Sequence, residues 1–133
     1  MGRSEYLIDS NAIIDFLGGR LPDSGMEFLS QVIDDKPSIS VITKIEVLGY
    51  NGTDQEELIF KSFVGDSEVL GLSEGIIDLC IQIRKSYRIK LPDALIAATA
   101  INNDFILVTR NISDFNFIEN LELINPHKIK KSN

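Results

Sequence analysis

Short apolar runs alternate with longer stretches in which apolar residues recur every three or four positions along this chain of 133 residues. A short apolar run between polar residues is typical of a buried strand, and the longer spacing is typical of an amphipathic helix. Strands are predicted in the segments YLID (6–9), PSISV (37–41), SEVLGL (67–72), FILVT (105–109) and LELIN (121–125). Since helices are predicted between them, the pattern indicates an α/β protein with a parallel sheet and helices on both of its faces.

The predicted helices have recognisable starts and ends. The first covers SNAIIDFL (10–17), with Ser10 or Asn11 as its cap, and stops at Gly18-Gly19. The others are predicted at 21–33, ITKIEVLGY (42–50), TDQEELIFKSF (53–63), 73–87 and LPDALIAATAIN (91–102). The helix after Ser73 has one apolar stripe, which predicts a core position for its cysteine. The stripe contains Ile76, Ile77, Cys80, Ile83 and Tyr87.

Length and composition favour one globular domain, since 44% of the residues are hydrophobic and 25% are charged. We expect it to span residues 1–126, followed by a flexible basic tail at 127–133. A single cysteine excludes an internal disulfide, and no run approaches the roughly 20 apolar residues of a membrane span. The N-terminus also lacks the apolar core of a secretory signal, so a cytoplasmic location without membrane contact is predicted.

The net charge of −7 is unevenly distributed. Residues 1–79 carry 15 acids and 5 bases, whereas residues 80–133 carry 5 acids and 8 bases. Four of those bases, Arg84, Lys85, Arg88 and Lys90, lie in RKSYRIK. The asymmetry favours a polyanionic or acidic partner on one side, although a solvated helix end and tail would give the same pattern.

Four acids lie where an apolar environment is predicted. Asp9 ends the first strand, Glu46 lies within a mostly apolar helix, Asp93 projects from the apolar stripe of its helix, and Asp114 follows the strand FILVT. Each has a structural explanation: Asp9 as a helix cap, Asp93 as a first-turn acid, Asp114 as a turn residue and Glu46 as an exposed side chain. As a set they require a further explanation.

If the four acids converge, each pair about 4–5 Å apart repels by roughly 3–4 kcal/mol at an effective dielectric near 20. A hard divalent cation, Mg²⁺ or Mn²⁺, would relieve this repulsion, because carboxylate oxygens are its preferred ligands. Zinc is disfavoured because the chain has one histidine, His127, which we expect to be exposed and uninvolved.

Four segments carry these acids in order: YLIDSNAIIDFL, ISVITKIEVLGY, LPDALIAATA and ILVTRNISDF. Together they resemble the PIN-domain ribonucleases, most closely the VapC-type toxins of bacterial toxin–antitoxin pairs. The resemblance implies a three-layer sandwich with about five parallel strands. It also implies a toxin that hydrolyses RNA phosphodiester bonds as an endoribonuclease with Mg²⁺ or Mn²⁺. The implied partners are an RNA substrate, a cognate antitoxin protein and a second copy of the chain in a dimer or higher assembly.

The same resemblance assigns roles to individual residues. Asp9, Glu46, Asp93 and Asp114 would be the catalytic, metal-binding quartet, with Asn11, Thr43 and Thr109 in support. The last acid of the family lies either two residues after the threonine, where this chain has Asn111, or further on, at Asp114. Both alternatives remain open at this stage.

The basic residues before Asp93, namely Arg84, Lys85, Arg88 and Lys90, are candidates for guiding an RNA backbone. Tyr87 among them could stack on a base or pack in the core. Receiver domains and haloacid-dehalogenase-like phosphatases also place an aspartate after a first strand. The phosphatases require a second acid where this chain has Asn11. Receiver domains require two adjacent acids near the start and a lysine at the end of a late strand, where this chain has Thr109 and Arg110. A PIN-like module that binds RNA or protein without cutting is the remaining alternative.

Overall fold

A five-stranded parallel sheet flanked by six α-helices forms the fold of residues 5–130, the part of the chain described by this computed structural model. The strands are β1 (Tyr6–Ile8), β2 (Ser38–Ser40), β3 (Glu68–Leu70), β4 (Ile106–Val108) and β5 (Leu123–Ile124). The helices are α1 (Ser10–Leu17), α2 (Asp23–Asp34), α3 (Val41–Leu48), α4 (Asp54–Gly65), α5 (Glu74–Ser86) and α6 (Leu91–Asn102). Two short 3₁₀ helices follow β4 and β5: η1 (Ile112–Asp114) and η2 (Pro126–Lys128).

The strand order is β3-β2-β1-β4-β5, and every pairing is parallel. The central strand β1 pairs with β2 through Leu7 and Ser38, and with β4 through Leu7 and Leu107. All carboxyl ends therefore meet at one edge of the sheet, which is where open α/β folds bind their ligands. The predicted α/β class and five-stranded parallel sheet are confirmed.

Apolar layers cover both faces of the sheet. Adjacent residues of a strand point to opposite faces, so Leu7 joins the cluster under α5 and α6 while Ile8 joins the cluster with α1, α2 and α4. The predicted three-layer sandwich is thus confirmed. Cys80 is buried as predicted, but Ile77 is 43% exposed, so its assignment to the α5 core stripe was wrong.

The helix starts follow the capping rules, with one correction. Thr53 makes a full capping box with Glu56, and Ser73 caps α5 through the N–H of Ile76. The cap of α1, however, is Asp9 and neither Ser10 nor Asn11: its carboxylate accepts the N–H of Ser10. Because β1 ends at Ile8 and α1 begins at Ser10, Asp9 is the one residue between them and occupies the cap position.

The chain after β5 continues across α2. The side chain of Asn125 accepts the N–H of His127 in η2, and Ser24 of α2 donates to the carbonyl of Ile129. Of the tail predicted at 127–133, residues 131–133 lie outside the described residues. Within residues 5–130, no helix is long and apolar enough to cross a membrane.

Candidate active site

The four acids predicted to lie in apolar surroundings come from different elements, all at the carboxyl edge of the sheet. Asp9 follows β1, Glu46 lies on α3, Asp93 is in the first turn of α6, and Asp114 ends η1 after β4. The carboxylates of Glu46 and Asp93 act electrostatically on Asp9, and those of Asp114 and Glu46 act on Asp93. The fold therefore gathers side chains from distant parts of the sequence into one anionic cluster.

Asp9 is the most rigidly held member, being 4% exposed. Its Oδ1 accepts the N–H of Ser10 at 2.8 Å. Its Oδ2 accepts the hydroxyl of Thr109 at 2.9 Å and the side-chain amide of Asn11 at 3.1 Å. Both oxygens are thus directed by neighbouring donors, which fixes the orientation of the carboxylate.

A polar segment after β4 completes the surroundings of Asp9. The hydroxyl of Thr109 also accepts from the Asn11 amide at 3.3 Å and from the backbone N–H of Asn111 at 3.1 Å. The Asn11 side-chain oxygen accepts the backbone N–H of Arg110 at 2.9 Å. Asn11 and Thr109 therefore both contact Asp9, while the side chain of Asn111 is exposed.

Glu46 differs from Asp9 in its freedom to move. It is exposed, and its Oε1 accepts the hydroxyl of Ser10 at 2.9 Å, a contact that the sequence interpretation did not include. Thr43 is buried one turn earlier on α3, and its hydroxyl accepts from Ser40, the cap of that helix, at 3.2 Å. Thr43 therefore fixes the start of α3, and Glu46 projects from the next turn toward Ser10.

Burial, followed by the repulsion of neighbouring carboxylates, raises the pKa values of Asp9 and Asp93. Burial raises the pKa of Asp9 to about 6, with smaller contributions from Glu46 and Asp93, although the bonds from Thr109 and Ser10 oppose the rise. Burial also raises the pKa of Asp93, followed by the repulsion from Asp114 and Glu46, while Lys90 lowers it. Repulsion by neighbouring carboxylates on top of desolvation is typical of functional sites.

The donor set suits a hard divalent cation, because its ligands would be carboxylate, hydroxyl and amide oxygens. In residues 5–130, no three His, Cys, Asp or Glu side chains are gathered closely enough to hold a metal ion as they stand. Glu46 is turned to Ser10, and both it and Asp114 are exposed, so these two can rotate toward the fixed carboxylate of Asp9. The oxygen donors of these acids suit Mg²⁺ or Mn²⁺, and binding of the ion would require Glu46 and Asp114 to rotate toward Asp9.

The basic residues before α6 are all exposed: Arg84, Lys85, Arg88 and Lys90. Lys90 occupies the N-cap position of α6 and acts electrostatically on Asp93, which places its charge beside the acidic cluster. Tyr87 packs against the core, its hydroxyl accepts the N–H of Glu119 at 3.3 Å, and its ring lies 5.4 Å from that of Phe117. These contacts favour the core-packing alternative for Tyr87.

A second buried acid, Asp15 on α1, was missed by the sequence interpretation. It accepts from Nη1 of Arg110 at 3.1 Å and from Nε2 of His127 at 2.8 Å. The expectation that His127 is exposed and uninvolved was therefore wrong, because 28% of its side chain is accessible and it pairs with a carboxylate. An acid inside the apolar segment AIIDFL was the available signal, the same one that identified Asp9.

The family model of the PIN domain matches residues 6–117. Among solved structures, a toxin–antitoxin complex from Klebsiella pneumoniae is 30% identical with a TM-score of 0.73, and the alignment covers 94% of this chain and 100% of that chain. VapBC2 from Rickettsia felis, bound to a DNA fragment from its promoter, is 25% identical with a TM-score of 0.74 and coverages of 90% and 97%.

VapBC-1 from nontypeable Haemophilus influenzae has the same fold, with 24% identity, a TM-score of 0.77 and coverages of 92% and 98%. No curated protein matched the chain.

Proposed function

The chain belongs to the PIN-domain family, and on that premise we propose that it is the toxin of a VapBC-type pair and cuts RNA as a Mg²⁺- or Mn²⁺-dependent endoribonuclease. One observation carries the proposal. Four acids from four separate elements share the carboxyl edge of the sheet, and burial together with mutual repulsion raises the pKa of Asp9 to about 6. A fold retains such a cluster at a cost to its own stability, which a function for the cluster explains.

In this proposal Asp9, Glu46, Asp93 and Asp114 hold the cation. A bound cation would activate a water molecule for attack on a phosphodiester and would stabilise the charge that develops on the leaving oxygen. Asp114 is preferred over Asn111 as the last ligand, because the charge of Asp114 acts on Asp93 whereas Asn111 contributes its backbone N–H to Thr109.

The residues of the chain itself have distinct tasks. Thr109 and Asn11 hold Asp9 in one orientation, and the exposed Glu46 and Asp114 would turn toward the cation as further ligands. Lys90, next to Asp93, binds a phosphate of the RNA, with Arg88, Arg84 and Lys85 extending the cationic surface along the backbone.

Partner binding is supported by apolar side chains on α3 and α4. Ile45, Leu48 and Leu58 are 63%, 41% and 68% exposed, and a groove between the two helices is lined by Val47 and Phe60 together with Leu48. Exposed apolar groups of this size are typical of interaction surfaces. We propose that the cognate antitoxin and a second copy of the chain cover these helices.

The test compares the antitoxin-free wild type with Asp93→Asn on end-labelled RNA, with and without a chelator. Asp93→Asn is expected to reduce cleavage by more than the roughly 10–100-fold that loss of an outer-shell contact costs, because it removes a ligand. Asp78→Asn, an exposed acid on α5, is the matched control and is expected to cut like the wild type.

The alternative of a PIN-like module that binds without cutting predicts a different result. Such a module would bind the labelled RNA equally with and without chelator, and Asp93→Asn would change nothing. Intact RNA after incubation with metal-loaded wild type would contradict the proposed nuclease.

A further inference from the structure

Asp15 forms the centre of a charged network behind the candidate active site. Its side chain is 5% exposed, and its two oxygens accept from Nη1 of Arg110 at 3.3 and 3.1 Å. Nε2 of His127 reaches the same carboxylate at 2.8 Å. One buried acid thereby joins three separate segments: helix α1, the loop after β4 and the 3₁₀ helix η2.

Helix α1 holds Arg110 at two points. Asn11 and Asp15 are four residues apart, so they lie on the same face of the helix one turn from each other. Asn11 accepts the backbone N–H of Arg110 at 2.9 Å, and Asp15 accepts its guanidinium. The backbone and the side chain of Arg110 are therefore both fixed to one helix face, which leaves the loop little freedom to move.

His127 closes the network from the other side. The backbone N–H of His127 donates to the side chain of Asn125, the residue directly after β5, at 2.9 Å. The carbonyl of Ile124 in β5 accepts the backbone N–H of Thr109 at 2.9 Å. The imidazole of His127 thus contacts Asp15 from the segment after β5. Because β4 and β5 are paired, this segment and the loop after β4 that carries Arg110 are held together.

The backbone bond to Arg110 determines which way the Asn11 amide faces. Its Oδ1 accepts the Arg110 N–H, so its Nδ2 is directed at Asp9 (3.1 Å) and Thr109 (3.3 Å). A reversed amide would set two N–H donors against each other at Arg110. The position of the Arg110 backbone N–H therefore determines whether Asn11 directs its Nδ2 donor at the Asp9 carboxylate.

We propose that Arg110 is a positioning residue of this site: anchored by Asp15, which His127 also contacts, it orients Asn11 and Thr109 on Asp9 without itself binding the cation. The inference rests on the proposed function, because the affinity for the cation is its first readout. Half of the Arg110 side chain is exposed, so direct contact of Arg110 with RNA is the competing role to be separated.

The experiment uses the full chain without antitoxin and without RNA. Binding of Mn²⁺ is measured by calorimetry for the wild type, Arg110→Gln, Arg110→Lys and the matched control Arg20→Gln, an exposed arginine beyond the end of α1. The side-chain amide resonance of Asn11 is recorded for each metal-free protein. Arg110→Gln is expected to weaken Mn²⁺ binding by roughly 10–100-fold, as is usual for outer-shell changes, and to shift the Asn11 resonance.

The remaining variants complete the comparison. Arg110→Lys keeps the charge and a donor nitrogen, so its loss of affinity is expected to be smaller than that of Arg110→Gln. Arg20→Gln is expected to bind like the wild type. If Arg110→Gln unfolds, the double variant Asp15→Asn/Arg110→Gln replaces it, because it leaves no unpaired carboxylate in the interior.

A folded Arg110→Gln protein with wild-type Mn²⁺ affinity and an unshifted Asn11 resonance would overturn the proposal. A separate cleavage assay with RNA tests the competing role: if the only effect of Arg110→Gln is a higher KM, with Mn²⁺ affinity unchanged, Arg110 contacts the substrate and the proposal is overturned as well. If the wild type binds no Mn²⁺, the proposed metal dependence fails, while the Asn11 resonance still decides whether Arg110 positions the amide.

Discussion

Replacing Asp9 by Asn removes the most strongly perturbed charge of the candidate site while keeping the shape of the side chain. The pKa of Asp9 is raised from 3.8 to about 6 in the folded protein. Between these pH values the folded state binds more protons than the unfolded state, so stability falls as the pH rises and the stabilising effect of protonation is lost above pH 6. At neutral pH the ionised Asp9 therefore destabilises the metal-free fold.

The size of the effect follows from the two pKa values. Their difference corresponds to about 3 kcal/mol at pH 7.5, since each pKa unit is about 1.4 kcal/mol. Both carboxylate oxygens of Asp9 accept hydrogen bonds, but asparagine has only one acceptor oxygen. The variant therefore loses a bond to Ser10, Asn11 or Thr109, which lowers its stability by about 1 kcal/mol. The net prediction is a metal-free Asp9→Asn protein about 2 kcal/mol more stable than the wild type.

The assay is urea unfolding in chelator at several pH values between 4 and 8. The stability difference between Asp9→Asn and wild type is expected to shrink toward pH 4, because the wild-type carboxyl becomes protonated there. Asp15→Asn is the matched comparison, being a buried acid on the helix that Asp9 caps. Its carboxylate is paired with Arg110 and His127, so its removal is expected to destabilise by about 2 kcal/mol or more.

A loss of 1 kcal/mol or more in Asp9→Asn at pH 7.5 would refute the reasoning, because it would mean that the hydrogen bonds to Asp9 outweigh its burial and the repulsion. A stability difference that stays constant from pH 4 to pH 8 would refute it as well. Added Mn²⁺ gives a further check, since a ligand stabilises only the protein that binds it: the wild type is expected to gain stability and Asp9→Asn is not.

Two further predictions concern the substrate surface and the chain end. Arg88→Gln/Lys90→Gln is expected to lower kcat/KM on RNA and to reduce its salt dependence by a slope of about 0.7 per lost phosphate contact; unchanged slopes would dismiss these residues as RNA ligands. Gly25→Ala is expected to destabilise by more than about 2 kcal/mol in thermal unfolding, because the added methyl group meets the carbonyl of Pro126. Gly65→Ala, where the methyl group meets open space, is the control and is expected to be neutral or stabilising.

Much of the fold follows from local sequence patterns. The five strands and the starts of α4 and α5 were predictable because apolar runs and capping residues act over a few positions. The sequence could not decide which residue caps α1, because Asp9, Ser10 and Asn11 are all good caps, and only the direct strand-to-helix connection gives that role to Asp9. Ile77 was wrongly predicted to be buried: its spacing fits the apolar stripe of α5, but α6 covers only one side of that helix.

The candidate site was predictable where a residue is chemically out of place in its own segment. Asp9, Glu46 and Asp93 could be found because an acid stands among apolar neighbours. Asp15 gives the same signal and was overlooked, and its partners Arg110 and His127 could not be identified because they lie 95 and 112 residues away. Contacts over such separations depend on the register of β4 against β1 and of β5 against β4, which local patterns do not determine.

The position of β1 at the centre of the sheet has a consequence for synthesis on the ribosome. Its neighbour β4 lies about 100 residues downstream, and the hydroxyl that holds Asp9 comes from Thr109, immediately after β4. While the chain is being translated, the first acid of the cluster has neither its pairing strand nor its orienting partner. The candidate site therefore cannot assemble around Asp9 until nearly all of the domain has left the exit tunnel.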